Sequence, residues 1–297
     1  PKAGDGSVPT AEPPLDLLAA RGFLSSGAGN LEWPVSWSVT DLMTYQGCPR
    51  RFALERRFGL PSRQGAAPAP GRDAGHRGLD AITRGNLVHR VAERLRDPAD
   101  LDRLLAQALH EAGLTEEAQA QAAEKEVKPL LQRYLNSEVF AVIASGLSRA
   151  EHAFHYRLPG TLLSVSGIMD NLVTAADGRH LVIDFKTNAI GPEQVEATAH
   201  KYRIQMETYA LVANRLLRLP VEACWLYFLQ PDECVRIPVR EEDLDGIKRL
   251  LHGLLTAMTE GSGLADFPAQ VGSHCLICPQ REFCRASGVL TGHGEVF

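Results

Sequence analysis

The sequence predicts an α/β protein, with a helical first half and then a mixed sheet flanked by helices. Three observations carry this. Up to about residue 146, apolar residues recur at helical spacing. Between 150 and 186 the pattern changes to three consecutive strand-like runs. After 200, helical periodicity alternates with one aromatic-rich apolar run. No internal repeat is visible.

The elements follow in order. Residues 1–37 read as a flexible leader, rich in Pro, Gly and Ala over its first part. The chain starts at Pro1, not Met, and is expected to be an excised piece of something longer. Ser38-Val39-Thr40-Asp41 has the Ser-x-x-acid pattern of a helix start. That helix, broken near Gly47-Cys48-Pro49, is expected to run to about Phe58. Residues 61–78 hold four Gly and three Pro and read as a loop. A helix over 82–96 places Leu87, Val91 and Leu95 on one face. More helix follows over 100–112 and 116–146, with Pro129 expected to interrupt the second stretch. Residues 150–158, 162–174 and 180–186 read as strands, with Asp177-Gly178 as a hairpin turn. Residues 202–218 read as helix, 223–229 as strand and 242–259 as helix.

Composition bounds the class. The 297 residues are 44% hydrophobic and 23% charged, which excludes a disordered or collagen-like chain. No apolar run approaches the roughly 20 residues of a membrane helix. No export signal precedes the first element, so a cytoplasmic protein without disulfides is expected. The net charge is −5, but it is unevenly spread. Residues 47–96 carry eleven Arg against four acids, a surplus of +7 that leaves the rest at −12. A local positive field of that kind can hold phosphates on an acidic protein.

The chemistry gathers at a few positions. Gly167-Ile168-Met169-Asp170 lies late in one strand, and Ile183-Asp184-Phe185-Lys186 ends the next. If the two strands form a hairpin, Asp170 and Asp184 converge. Asp184 and Lys186, two apart, share a face with Val182, while Leu181, Ile183 and Phe185 point the other way. Two carboxylates beside a lysine suit a hard divalent cation that polarises a phosphate oxygen and activates water. Asp-x-Lys alone also describes an exposed strand-end ion pair of little worth. Three features add weight. Arg84-Gly85-x-x-x-His89 opens a helix, where the Gly allows close approach and the imidazole can bind metal. Gln205 and Tyr209, four apart, share a helix face that can meet a nucleic-acid backbone. Glu151 starts the preceding strand, with a structural role the plainer reading.

Six cysteines remain. Cys275-x2-Cys278-x5-Cys284 is compact, and Cys48 lies 227 positions before Cys275. Such thiolates can hold zinc or an iron–sulfur cluster. Cys224 reads as a core thiol, and Cys234 has no assigned role beyond a possible fourth ligand.

Taken in order, Arg84-Gly85-x-x-x-His89, Gly167-x-x-Asp170, Asp184-x-Lys186 and Gln205-x-x-x-Tyr209 resemble the RecB-like branch of the PD-(D/E)XK nucleases. The resemblance spans roughly residues 38–286. It implies a restriction-endonuclease-like core in which His89, Asp170, Asp184 and the Phe185 carbonyl bind Mg²⁺ or Mn²⁺. Lys186 would be the catalytic lysine, with Asp170, Asp184, Gln205 and Tyr209 completing the catalytic set. Arg50, Arg51, Arg84, Gln205 and Tyr209 would contact DNA. The remote Cys48 with a C-terminal trio resembles the iron–sulfur nucleases of the AddAB type and some CRISPR-adaptation exonucleases. It implies a 4Fe–4S cluster on Cys48, Cys275, Cys278 and Cys284, stapling the N-terminal helix to the C-terminal loop.

The implied organisation is one nuclease domain over 38–286 and a tail over 287–297. Within it lie a basic DNA-facing segment (47–96), a catalytic sheet (149–237) and a cluster loop (275–284). The implied activity is a metal-dependent DNase, exonuclease more than endonuclease, on single-stranded DNA or DNA ends. A helicase–nuclease of double-strand break repair is the implied setting. No phosphate-binding Gly-x4-Gly-Lys-Ser/Thr loop is present, so a helicase motor would lie elsewhere in the chain or complex. The rivals are a stand-alone single-strand exonuclease, a catalytically silent DNA-end binder and a zinc-stapled structural protein.

Overall fold

Ser38 and Asp41 start the first helix by reciprocal bonds. Ser38 N donates to Asp41 Oδ2 at 2.9 Å, and Asp41 N donates to Ser38 Oγ at 3.0 Å. A short strand, β1 (Val35–Ser38), leads into helix α1 (Val39–Gly47). The computed structural model describes residues 35–60 and 79–286. The expected loop at 61–78, the tail at 287–297 and residues 1–34 of the expected 1–37 leader lie outside the described residues, and residues 35–37 of that leader are strand instead, paired with residues 163–165. The described chain forms two units, one of residues 35–47 and 79–259, the other of 48–60 and 260–286.

In the smaller unit, Cys48 is extended (φ −168°, ψ 103°), which breaks the helix where Gly47-Cys48-Pro49 predicts. Helix α2 (Pro49–Phe52) follows, with Pro49 in its first turn, and passes into a π-helical turn at Ala53–Arg57. Arg50 ties this piece to the C-terminal stretch. Its amide donates to the Pro268 carbonyl at 3.3 Å and its Nε to the Phe267 carbonyl at 2.9 Å. Phe52 packs on Phe267, both fully buried, with ring centroids 6.1 Å apart.

The larger unit begins its helical layer with α3 (Ala81–Arg94). Asp80 caps it, accepting from Ile82 N and Thr83 N at 3.0 Å each. Leu87, Val91 and Leu95 are buried, as their spacing predicts. Helices α4 (Leu101–Glu111), α5 (Glu117–Leu135) and α6 (Glu138–Ser145) complete the layer. The expected interruption at Pro129 does not occur, because α5 runs through it. A mid-helix proline costs about 3 kcal/mol. Val127, Leu130, Leu131 and Tyr134 of α5 are buried, and each such side chain contributes roughly 1.5–3 kcal/mol, so packing outweighs the break. The chain breaks instead at Asn136–Ser137, where Ser137 caps α6.

The sheet then follows: β2 (Leu147–Arg157), β3 (Leu163–Thr174) and β4 (His180–Lys186). Gly178, at φ 88°, makes the expected turn into β4. Helices α7 (Val195–Lys201) and α8 (Arg203–Arg215) cross over to β5 (Val221–Phe228), which pairs parallel with β4. Strand β6 (Glu233–Pro238) closes the far edge, and α9 (Glu241–Glu260) follows. The order is β1-β3-β4-β5-β6, with β2 on the other side of β3. The mixed sheet with its helices agrees with the expected class. Leu181, Ile183 and Phe185 of β4 join one core with α3–α6, where Tyr134 meets Phe185 edge-on at 5.4 Å. On the opposite face, Cys224 lies fully buried and donates to the Met206 carbonyl in α8 at 3.5 Å, a core thiol as expected.

Candidate active site

The site lies where the β3 ladder is interrupted. β4 pairs with β3 over Asn171–Thr174, and β1 pairs with it over Leu163–Ser166. Residues 167–170 lie between the two pairings. Continuing the β3–β4 register from Asn171↔Ile183 sets Asp170 opposite Asp184. Side chains complete the open stretch. Asp170 Oδ2 accepts from Phe185 N at 2.8 Å, and Tyr209 Oη donates to the Ile168 carbonyl at 2.6 Å. Gly167 has its place here, since a Cβ would meet Phe154 ring atoms at 2.9 and 3.0 Å. Phe154 in turn packs edge-on against Tyr209 at 5.7 Å.

Asp184 and Lys186 share a face, as two-residue spacing requires, and both are buried (side chains 1% and 12% exposed). Lys186 Nζ contacts Asp184 Oδ2 and donates to Gln205 Oε1 at 3.0 Å. The Gln205 amide nitrogen donates to Asp184 Oδ1 and to Tyr209 Oη, each at 3.0 Å. The Tyr202 ring lies 4.2 Å from Nζ and donates its hydroxyl hydrogen to Asn188 at 3.1 Å. Sequence reasoning passed over Tyr202, whose signal is its place three residues before Gln205, at the N-cap of α8.

From α3, His89 Nδ1 lies 3.2 Å from Glu93 Oε1 and 3.5 Å from Asp170 Oδ2. Its ring stands edge-on to Phe185 at 6.1 Å. Glu93, 7% exposed, is a site residue the sequence reading missed, counted there as one acid among the arginines. Its signal was the one-turn spacing from His89. Gly85 lets α3 approach the end of β4, because a Cβ there would lie 2.8 Å from Thr187 Oγ1.

The charges compete for a buried space. Burial and the nearby Asp184 push Asp170 up to about 7, with His89 and Lys186 pulling the other way. At His89 burial disfavours the cation, but the Glu93 hydrogen bond and the fields of Asp170 and Asp184 prevail and raise its pKa. Lys186 follows the same pattern, with burial outweighed by Asp184 and Asp170, and it stays charged. Tyr209 is raised by burial and by Asp184.

These residues suit a divalent cation. One ligand atom from each of His89, Glu93 and Asp170 lies within 4.8 Å of the others. Asp184 meets the Lys186 ammonium at Oδ2 and the Gln205 amide at Oδ1, and each carboxylate oxygen has a further lone pair that a cation can use. The four motif segments therefore meet at one place. Arg84, half-buried in the first turn of α3, makes no side-chain hydrogen bond or ion pair among the described residues. Glu151 stands in the left-handed region (φ 50°) with its carboxylate 3.7 Å from Arg94.

Much of the +7 surplus is engaged within each unit. Arg51 pairs with Glu55, and Arg57 donates to the Gly261 carbonyl. Arg90 and Arg94 face Glu111, and Arg96 bonds Ser148 and Asn171. Arg50 and Arg51 lie in the smaller unit, where Cys48, Cys275, Cys278 and Cys284 line one pocket with Arg51 and Arg281. Burial raises the thiol of Cys284 to about 11, and Cys278, Cys48 and Cys275 add to the shift. Cys278 is raised by burial, with Cys48 and Cys275 adding to it. Cys234 is half-buried against the larger unit's core and does not line this pocket.

Comparisons with known proteins agree on the family. A family model described as the PD-(D/E)XK nuclease superfamily matches residues 36–285. An ATP-dependent helicase/nuclease subunit from Moorella thermoacetica is 30% identical over 223 residues, covering 66% of this chain and 15% of that protein. The protein of the same name from Bacillus mycoides is 28% identical over 182 residues, covering 54% and 15%. The chain thus matches a small part of the length of these relatives. With the family model spanning most of the chain, and a mixed sheet flanked by helices, the chain belongs to the PD-(D/E)XK nuclease superfamily.

Proposed function

We propose that this chain hydrolyses phosphodiester bonds in DNA with Mg²⁺ or Mn²⁺, as the nuclease part of a cytoplasmic helicase–nuclease that processes DNA ends. The observation that carries the reading is the meeting of Asp170, Asp184, Lys186, Gln205 and Tyr209 around the open stretch of β3. His89, Asp170, Asp184 and the Phe185 carbonyl are the proposed cation ligands, with Glu93 beside them. When bound there, a divalent cation would supply Lewis-acid charge to the reaction.

The chain's own residues do the rest. Lys186 stays protonated between Asp184 and Gln205, so it acts as a fixed charge that orients water and offsets developing negative charge. Gln205 holds Lys186 and Asp184 in register and, with Tyr209, guides the strand. Arg84, with its guanidinium uncommitted among the described residues, is the proposed phosphate contact. The proposed action is exonucleolytic on single-stranded DNA. The helicase setting is supported by the names of the relatives.

Cys48, Cys275, Cys278 and Cys284 are the proposed ligands of a 4Fe–4S cluster that joins residues 48–60 to 260–286. Their shared pocket supports this.

The test is digestion of end-labelled single-stranded DNA by the purified chain. Short products in Mg²⁺ or Mn²⁺, none in EDTA and none from Asp184→Ala or Lys186→Ala are expected. Full activity in either variant would overturn the site. A brown protein with about four irons per chain is the cluster result. Stoichiometric zinc would overturn it.

A further inference from the structure

We propose that Arg281 serves the cysteine-held cluster as a sulfur hydrogen-bond donor and countercharge, with Arg51 as a second cation. This rests on the iron–sulfur reading of Cys48, Cys275, Cys278 and Cys284.

The geometry begins with an orphan. Arg281 opens the last helix, α10 (Arg281–Ala286), and lines the pocket that the four cysteines line. Its Nη1 reaches the Leu276 carbonyl at 3.5 Å, the long limit of a hydrogen bond. Its Nε is shut away from water and has no partner among the described residues. A buried guanidinium donor is costly to leave unpaired. The pocket wall it shares offers sulfur.

Charge points the same way. Four thiolates around an iron–sulfur core carry net negative charge, and a buried anion needs a fixed opposite charge. Arg51 lines the same pocket as the four cysteines. Arg50 and Arg51 follow Cys48 after Pro49 alone, so α2 carries their charge close to that cysteine in sequence. This assigns Arg51, first expected at DNA, to the cluster.

Hydrogen bonds and charge near the sulfurs set cluster potential and lifetime. Adding an electron makes the cluster more negative, so a neighbouring cation favours the reduced form. The test uses the full chain, purified anaerobically and reduced with dithionite in a monitored titration. Arg281→Gln is expected to carry the same iron as wild type. Its reduced-to-oxidised ratio at fixed potential should fall about tenfold, or about 59 mV downward for one electron. Its colour should fade several-fold faster in air. Arg281→Lys, which keeps the charge, is expected to recover most of the potential but not the lifetime. Arg51→Gln should lower the potential. It reports independently if Arg281→Gln fails to fold.

An iron-loaded wild type with unchanged potential and lifetime in both Gln variants would overturn the Arg281 and Arg51 roles alone. A wild type holding zinc instead would overturn the cluster reading, and these roles with it.

Discussion

Asp170 accepts the amide hydrogen of Phe185 at 2.8 Å, from a β3 position that the register sets opposite Asp184. One carboxylate thus serves the backbone with Oδ2 while lying 3.5 Å from His89. Asp170→Asn keeps the shape but not the charge. Cleavage should fall by about 10²–10³-fold, as for loss of a major electrostatic group. The fold, followed by circular dichroism, should remain. Wild-type turnover in the Asn variant would remove Asp170 from the machinery.

The Asp170 carboxyl also predicts a pH dependence. Its pKa is raised by burial and by Asp184 from 3.8 to about 7. Between those values the fold binds more protons here than the unfolded chain does. The stability it contributes is therefore full below pH 3.8 and lost as pH rises through about 7. In EDTA, the melting temperature should decline across that window, other carboxylates being held constant by comparison with Asp170→Asn. A cation must displace the proton, so Mn²⁺ affinity measured by calorimetry should rise with pH up to about 7 and then level off.

Lys186 is buried against Asp184. Lys186→Gln should abolish cleavage while single-stranded DNA binding persists. Leaving Asp184 without its partner should destabilise the metal-free fold by roughly 3–5 kcal/mol. A divalent cation can supply the missing charge, so Mn²⁺ should raise the melting temperature of the variant more than that of wild type. Equal shifts would separate Asp184 from the cation.

Glu93 lies 3.2 Å from His89 Nδ1, the ring nitrogen that also faces Asp170 at 3.5 Å. Carboxylates in that position fix the imidazole tautomer, and their loss typically costs 10–100-fold in metal affinity. Glu93→Gln should show a loss of about that size in Mn²⁺ titrations, with activity recovered at high Mn²⁺.

Legibility in the sequence followed the range of the interaction. Ser38–Asp41, the Asp177-Gly178 turn and the Leu87–Val91–Leu95 face are local, and all were readable. The Asp170–Asp184 convergence was readable because one hairpin carries both. Strand β1, four residues long and paired parallel with β3, owes its existence to a partner far along the chain. Pro129 was misjudged because its tolerance depends on what α5 buries. Glu93 and Tyr202 were missed because an acid and an aromatic on a helix gain meaning from neighbours on other elements. The arginines show the same limit, since their sum suggested a DNA face before their partners were known.

Gly85 gives the most direct check on how α3 meets β4. A Cβ added there would lie 2.8 Å from Thr187 Oγ1 and 3.7 Å from Thr187 Cβ, so the hydroxyl alone blocks it. Two effects oppose each other in Gly85→Ala. Helix propensity favours Ala by about 1 kcal/mol. Overpacking costs about 1–3 kcal/mol and displaces α3, which carries His89 and Glu93. In wild type the variant should therefore lose both stability and Mn²⁺ affinity. In a Thr187→Ala background the clash is gone, and the same substitution should stabilise by up to about 1 kcal/mol. A double-mutant cycle by urea unfolding reads this as a change of sign. Additive effects would mean that α3 does not depend on the close contact at Gly85 for its position.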